Sequence, residues 1–133
     1  MGSFEDVSCA QSRARRFAAD SGFSVRGQWE LALAVSEAAT NIVKYGVRGT
    51  ILLRRDWDVV EMVATDSGPG FTDVVACLRD GISEGRDRSS AISLAGFRGL
   101  GLGLGAVARL TDELVISNLE SGGALVRARK RRC

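Results

Sequence analysis

Apolar residues recur at helical spacing in two stretches of the first third of the chain. In the first stretch, residues 6–21, small and apolar side chains occupy one side and arginines the others, and Gly22 then supplies a helix-ending residue. The second stretch follows Ser24, a residue type favoured at N-caps, and ends near residues 46–49. Its apolar stripe runs through Leu31, Val35, Ala38, Ile42 and Tyr45. Two amphipathic helices are therefore predicted.

Short segments rich in β-branched residues predict two antiparallel hairpins. The segments are residues 50–55 and 59–65, separated by the turn residues 56–58, and residues 113–118 and 124–128, separated by Gly122-Gly123. Helices combined with mostly antiparallel strands favour an α/β fold. We expect a two-layer sandwich in which helices cover one face of a mixed, mostly antiparallel sheet.

The region between the hairpins has a different character. Thr72 is suited to cap a short helix that reaches Leu78, and residues 80–98 lose the hydrophobic period and gather glycine, serine and charge, as surface loops do. The alternating glycines of residues 99–105 then predict a turn that leads into a helix starting at Ala106.

Composition narrows the class of protein. The 133 residues, 45% of them hydrophobic, fit one globular domain over residues 1–133. The absence of a signal-peptide pattern and of a bilayer-length apolar run predicts a cytoplasmic protein that does not enter a membrane. Without histidine, His-based triads, His metal sites and a phosphohistidine acceptor are excluded, and three scattered cysteines indicate free thiols. A net charge of +2 does not predict nucleic-acid binding, and the basic residues 127–132 are interpreted as a solvated tail.

Two polar residues border the apolar stripe of the second helix. Glu37 and Asn41 are four residues apart, so they project from one helix face at the edge of the core. The Asn41 side-chain oxygen suits a hard cation such as Mg²⁺, and the Glu37 carboxylate is able to polarise an attacking hydroxyl. Lys44, one turn farther on, either contacts phosphate or is a solvated surface lysine.

Two glycine-containing segments add candidate nucleotide chemistry. Asp66 follows a predicted strand and precedes Gly68 and Gly70, and such a loop is either an ordinary tight turn or a place where a planar ring approaches the backbone. A carboxylate there accepts a hydrogen bond from an exocyclic amine such as that of adenine. The glycine run before the later helix exposes N–H groups where a helix favours phosphate, although it is neither a Walker loop nor a dinucleotide fingerprint.

The order of these motifs resembles that of the GHKL ATPase superfamily. The N box, G1 box and G2 box of that superfamily look like residues 37–41, 66–70 and 99–105. Within it, the short length and the Ser-Glu-Ala-Ala-Thr-Asn run are most similar to bacterial anti-sigma-factor serine/threonine kinases. The segment that begins with the glycine run and reaches Glu113 looks closest to stressosome switch kinases of the RsbT type.

The resemblance implies a Bergerat ATP-binding fold and a role for each matched residue. It makes Glu37 the general base, Asn41 the Mg²⁺ ligand and Asp66 the residue that reads adenine. Gly68 and Gly70 would form the floor beneath the base, while residues 80–98 would form the ATP lid. The phosphates would be held by Gly99, Gly101 and Gly103. An arginine would reach the γ-phosphate, and Arg86, Arg88 and Arg98 are alternatives among which the sequence does not choose.

The resemblance also implies an activity and partners. It implies a serine/threonine protein kinase that uses Mg²⁺ and ATP to phosphorylate a STAS-domain protein in a bacterial partner-switching pathway, with a PP2C-type phosphatase or a sigma factor as further partners. The alternative is a non-catalytic, nucleotide-gated switch that binds partners without modifying them. A detached catalytic domain of a histidine kinase is disfavoured because no histidine-bearing dimerisation helix is present, and a gyrase-like ATPase because no transducer domain follows.

Two departures from the family pattern change what we expect. The family has Gly-Thr late in the chain, where this sequence has Gly123-Ala124, so one hydroxyl of the base-binding network is missing. The family also begins with a strand before the first helix. Only residues 1–5 are available for it here, and the sheet is expected to lack that edge.

Overall fold

A computed structural model describes residues 2–45, 48–69 and 100–132. The predicted short helix of residues 72–78, the lid of residues 80–98, and Gly70, Arg98 and Gly99 lie outside them. In chain order, the helices and strands of the described residues are α1 (Phe4–Asp20), α2 (Val25–Tyr45), β1 (Gly49–Asp56), β2 (Val59–Asp66), α3 (Leu100–Leu110), β3 (Glu113–Asn118) and β4 (Ala124–Arg131).

Side-chain acceptors fix the starts of the first two helices. The Asp6 carboxylate accepts hydrogen bonds from the backbone N–H groups of Gly2 and Ser3, which begins α1 and holds the pKa of Asp6 below its usual range. The hydroxyl of Ser24 accepts a hydrogen bond from the Gly27 N–H at 3.1 Å, so the predicted N-cap of α2 is confirmed.

The strands of the described residues form one antiparallel sheet in the order β1-β2-β4-β3. Both predicted hairpins are present, and each is extended by one or more residues. No strand precedes α1 among the described residues, in agreement with the expected loss of that edge. The two-layer α/β fold predicted from the sequence is confirmed.

The core lies between the sheet and the helices. The helix α2 contacts both α1 and α3, and all three lie on one face of the sheet. The largest fully buried side chains come from α2, α3 and the strands β2 and β3: Leu31, Val35, Val60, Met62, Val107 and Ile116. The central position of α2 agrees with the burial of Leu31, Val35, Ala38 and Ile42 in its apolar stripe. None of the described helices is long and apolar enough to cross a bilayer.

The prediction that α3 begins at Ala106 was wrong. The glycine run is itself helical from Leu100 onward, so Gly101 and Gly103 lie within the first turn. Leu104 and Val107, 6% and 0% exposed, are buried in the core. Packing of these side chains outweighs the low helix propensity of glycine, which is why a reading based on local propensity failed.

The interpretation of residues 127–132 as a solvated tail was also wrong. The strand β4 continues to Arg131, and Lys130 is only 6% exposed. Residues alternate across a strand, so Ala128 and Lys130 face the helices while Arg129 and Arg131 face the opposite side. Because this segment is rich in charged residues, the sequence did not predict that the strand continues through it with one side buried.

Candidate functional site

The pair of polar residues on α2 lies where the sequence predicted it, at the edge of the buried stripe. Glu37 and Asn41 are partly buried, next to Ala38 and Ile42, which are 3% and 2% exposed. Among the described residues, neither polar side chain has a hydrogen bond or an ion pair. A carboxylate and an amide oxygen at the core boundary are therefore both available to a ligand.

The hydroxyl groups beside this pair are already occupied. Thr40 Oγ1 donates to the carbonyl of Ser36 at 2.8 Å, and Ser36 Oγ donates to the carbonyl of Leu33 at 2.8 Å. Because these bonds reach the preceding helical turn, both hydroxyls point back onto their own helix. Glu37 and Asn41 thus remain the polar groups of this segment that are able to serve a ligand.

The carboxylate of Asp66, the last residue of β2, is held by two backbone groups. Its Oδ1 accepts hydrogen bonds from the N–H of Gly68 at 2.9 Å and from the N–H of Ala124 at 3.3 Å. The other oxygen, Oδ2, accepts no hydrogen bond from the described residues. One oxygen orients the carboxylate and the other is left to accept a hydrogen bond from a ligand.

Gly123 allows β4 to begin against the end of β2. Its φ of +100° is in the left-handed region, and an added Cβ would lie 1.8 Å from the carbonyl oxygen of Asp66. Any side chain would therefore push Ala124 away from the Asp66 carboxylate. The sequence indicated only a turn at this glycine, because a local sequence pattern does not predict that two distant strands approach each other.

Gly49, the first residue of β1, brings α2 close to the same carboxylate. A Cβ at this position would meet the carbonyl oxygen of Thr65 at 2.5 Å, Cγ2 of Ile42 at 2.8 Å and Cβ of Asp66 at 3.1 Å. Ile42 follows Asn41 directly, so the polar pair of α2 and the end of β2 belong to one region. Sequence reasoning used this residue only as a helix end.

The start of α3 adds anion-binding groups to this side of the fold. The first four N–H groups of a helix have no acceptor within the helix, and in α3 they belong to residues 100–103, which include Gly101 and Gly103. Together with the helix dipole they favour an anion such as phosphate. The packing of α3 against α2 keeps this helix beside the one that carries Glu37 and Asn41.

The other predicted site residues differ in their surroundings. Lys44 is exposed in the last turn of α2, and Gly68 is partly buried and is fixed by its bond to Asp66. No group of three or more acidic, cysteine or histidine residues able to hold a metal occurs in the described part of the chain. A metal at Asn41 would therefore take most of its ligands from a nucleotide and from water, which is how Mg²⁺ commonly binds.

A buried lysine joins the elements that carry the site. Lys130 Nζ, on β4, donates to Glu30 Oε1 of α2 and to the carbonyl of Leu110 at the end of α3, both at 3.0 Å. The lysine holds the pKa of the Glu30 carboxyl below its usual range, and Arg26 contributes less. A cation at the carboxyl end of α3 also stabilises the helix dipole. Sequence reasoning missed this residue, which it placed in the tail.

One groove among the described residues lies elsewhere. It has a volume of about 520 Å³ between α1 and the edge strand β1, and its lining includes Phe17, Val35 and Leu53 but none of the candidate site residues. The convergence of unpartnered polar groups, and not this groove, therefore supports the region around Glu37, Asn41 and Asp66 as the candidate site.

Comparisons with known proteins give the family of the chain. Residues 3–130 match the family model described as the histidine kinase-like ATPase domain. The chain is also similar to the serine/threonine-protein kinase RsbT of Bacillus subtilis (strain 168), with 30% identity over 129 residues that cover 94% of this chain and 88% of the relative. The family match extends from the start of α1 to the buried lysine of β4, and the chain therefore belongs to the histidine kinase-like ATPase domain family.

Proposed function

We propose that the protein is a serine/threonine protein kinase that transfers the γ-phosphoryl group of ATP to a STAS-domain partner in a bacterial partner-switching pathway. The observation that carries the proposal is the Asp66 carboxylate, with Oδ1 fixed by two backbone N–H groups and Oδ2 left to accept a hydrogen bond. Adenine presents an N–H donor of this kind in its exocyclic amine. Similarity to a serine/threonine-protein kinase supports the reaction class.

The residues of α2 fit the chemistry of the transfer. Asn41 would hold Mg²⁺ through its side-chain oxygen, and the ion would neutralise charge on the phosphates. Glu37 would orient the partner's hydroxyl and accept its proton while the hydroxyl oxygen bonds to the γ-phosphorus. The bond from that phosphorus to the bridging oxygen breaks, and ADP leaves. The partly buried position of Glu37 beside the core supports this role, because it restricts the carboxylate to few orientations.

The phosphates would lie at the start of α3. Gly101 and Gly103 leave the first N–H groups of the helix open to close approach, which favours the charge of the phosphate chain. Gly70, Gly99 and Arg98 keep the roles that the resemblance implies, within a lid of residues 80–98. Lys44 is proposed as a more distant phosphate contact.

One experiment separates the kinase from the non-catalytic switch. The protein is incubated with γ-labelled ATP, Mg²⁺ and a purified STAS-domain protein, and label on that protein is measured together with complex formation. Label on a serine or threonine supports the kinase. A nucleotide-dependent complex without label supports the switch, and failure to bind ATP contradicts both.

A further inference from the structure

The helix α2 exposes a line of apolar side chains on the turns that precede Glu37. Val25, Trp29 and Leu33 are four residues apart and are 65%, 43% and 44% exposed. We call these three residues the apolar ridge. Residues at this spacing lie on neighbouring turns of one helix face, and Glu37 is the next residue of the series. Single exposed apolar residues are ordinary, but a contiguous ridge of three that leads to a candidate catalytic residue is typical of an interaction surface.

The surface on the α1 side of the ridge is basic. Arg15 of α1 lies over the indole of Trp29, with its guanidinium carbon 4.5 Å from the ring centre, and this cation–π contact restricts the tryptophan to few orientations. A concavity of about 690 Å³ beside the ring is lined by Arg15, Arg16 and one acidic residue, Asp20. Neither arginine has an ion pair among the described residues. Both charges are therefore available to an acidic group.

The ridge lies within reach of any protein that delivers a hydroxyl to Glu37. With a rise of about 1.5 Å per residue, Leu33 precedes Glu37 by about 6 Å along the helix axis and Trp29 precedes it by about 12 Å. The hydroxyls of Ser36 and Thr40, on the intervening surface, donate to carbonyls of their own helix. The surface from Trp29 to Glu37 thus combines apolar contact area with few free hydrogen-bonding groups.

We propose that the apolar ridge is the surface on which the STAS-domain substrate docks. The proposal rests on the proposed function, because transfer at Glu37 defines where the substrate lies. The substrate would cover Leu33 and Trp29 with apolar side chains beside its phosphoacceptor and would direct an acidic side chain to Arg15. Charge complementarity favours such a partner over a second copy of this chain, whose ridge carries the same arginines. Tryptophan and arginine are also the residue types most enriched among those that dominate binding free energies.

Two leucine substitutions test the docking surface. Leu33→Asp is expected to raise the Kd for a purified STAS-domain protein, measured by calorimetry with ADP bound, by about tenfold or more. The KM for that protein in the transfer of label should rise in parallel, while ADP affinity stays at the wild-type level. Leu52→Asp is the matched control, because Leu52 is 59% exposed on the face of β1 that points away from the helices.

The outcomes separate the docking surface from the kinase. An unchanged Kd in Leu33→Asp, or no complex with the wild-type protein, would overturn the docking surface. Absence of label despite a complex that Leu33→Asp weakens would contradict only the proposed kinase. Sedimentation equilibrium adds one further outcome: dimers of the wild-type protein alone that Leu33→Asp abolishes would make the ridge a contact between copies and overturn the proposal.

The two tryptophans of the chain provide a direct reporter of docking. Trp57→Phe leaves Trp29 as the remaining tryptophan, and its emission should shift to shorter wavelength when a tryptophan-free STAS-domain protein binds, because docking removes the indole from water. Trp29→Phe is the control, since it leaves Trp57, which is 92% exposed in the β1–β2 turn. A complex that shifts the emission of Trp57 but not that of Trp29 would overturn the proposal.

A pair of charge reversals on α1 tests the acidic contact. Arg15→Glu is expected to raise the Kd for the STAS-domain protein by about tenfold or more. Arg13→Glu changes the net charge equally, but Arg13 lines the groove between α1 and β1 and should leave the Kd unchanged. Equal effects of the two reversals would overturn the assignment of an acidic side chain to Arg15, provided that circular dichroism shows both variants folded.

Discussion

The backbone N–H of Ala124 donates a hydrogen bond to Oδ1 of Asp66 over 3.3 Å, which ties the first residue of β4 to the last residue of β2. The family pattern has threonine where this chain has Ala124, and alanine lacks both the hydroxyl and the γ-methyl group of that side chain. The backbone contact that orients Asp66 is retained. The presence of alanine at position 124 therefore leaves the Asp66 carboxylate in place and removes one hydroxyl.

Asp66→Asn tests the proposal that Oδ2 of Asp66 accepts a hydrogen bond from adenine. The amide oxygen is still able to accept hydrogen bonds from Gly68 and Ala124, but an N–H₂ group takes the place of Oδ2 and repels the adenine amine. We expect ADP affinity, measured by calorimetry, to fall about tenfold to a hundredfold. The affinity for inosine diphosphate, which has an acceptor in place of that amine, should fall much less. Asp58→Asn in the exposed β1–β2 turn is the control, and equal losses for both nucleotides would count against the assignment.

Glu37→Gln separates catalysis from binding. Glutamine keeps the size and polarity of the side chain but accepts no proton from a partner hydroxyl. Phosphorylation of the STAS-domain partner is expected to slow by about 100-fold to 10,000-fold, while ADP affinity stays at the wild-type level. Glu120→Gln, in an exposed turn, should change neither quantity. Parallel loss of binding and transfer would mean that Glu37 supports the nucleotide and is not the base.

Two neighbouring glycines offer a matched pair of substitutions. Gly122 and Gly123 have φ values of +97° and +100°, but an added Cβ at Gly122 meets nothing within 4 Å, whereas at Gly123 it meets Asp66. Gly122→Ala should lower the free energy of unfolding by about 1 kcal/mol, the cost of the left-handed backbone alone. Gly123→Ala should cost at least about 2 kcal/mol more, because β4 has to move away from β2. Urea denaturation measures both, and equal values would contradict the close approach of the two strands.

Lys130→Met tests the buried connection between α2, α3 and β4. Methionine fills the site, but Glu30 and the Leu110 carbonyl lose the hydrogen bonds that Lys130 donates. We therefore expect the free energy of unfolding to fall by about 2 kcal/mol at neutral pH. Arg26→Met is the control: its ion pair with Glu30 is exposed on the arginine side, and a loss of at most about 0.5 kcal/mol is expected.

The same ion pair predicts a pH dependence with a definite sign. The pKa of Glu30 is lowered in the folded state, so its contribution to stability is complete above the unfolded pKa of about 4.3 and is lost as the pH falls through the folded value. Wild-type protein should therefore lose stability over this acidic range more steeply than Lys130→Met. Identical pH profiles from chemical denaturation would contradict the contribution of this pair.

Local pattern predicted the elements and the positions of the polar groups. The helical period placed Glu37 and Asn41 at the edge of the core. The predicted strand of residues 59–65 placed Asp66 at an end of the sheet. What the sequence did not predict depends on contacts between distant residues: the bond from Ala124 to Asp66 spans 58 positions and that from Lys130 to Glu30 spans 100. Gly49 and Gly123 looked like ordinary helix and turn glycines for the same reason. The assignments of Gly70, Arg98 and Gly99 stay predictions.

The helical glycines of α3 have a consequence for local folding. Gly101, Gly103 and Gly105 each disfavour helix by about 1 kcal/mol relative to alanine, a sum of about 3 kcal/mol within the first two turns. Buried Leu104 and Val107 hold the second half of α3, but the first turn depends on whatever accepts its free N–H groups. If phosphate binds these N–H groups as proposed, helix formation at this end and phosphate binding are linked equilibria. ADP should slow amide hydrogen exchange in the first turn of α3 more than in α1, which makes this turn a reporter of nucleotide occupancy.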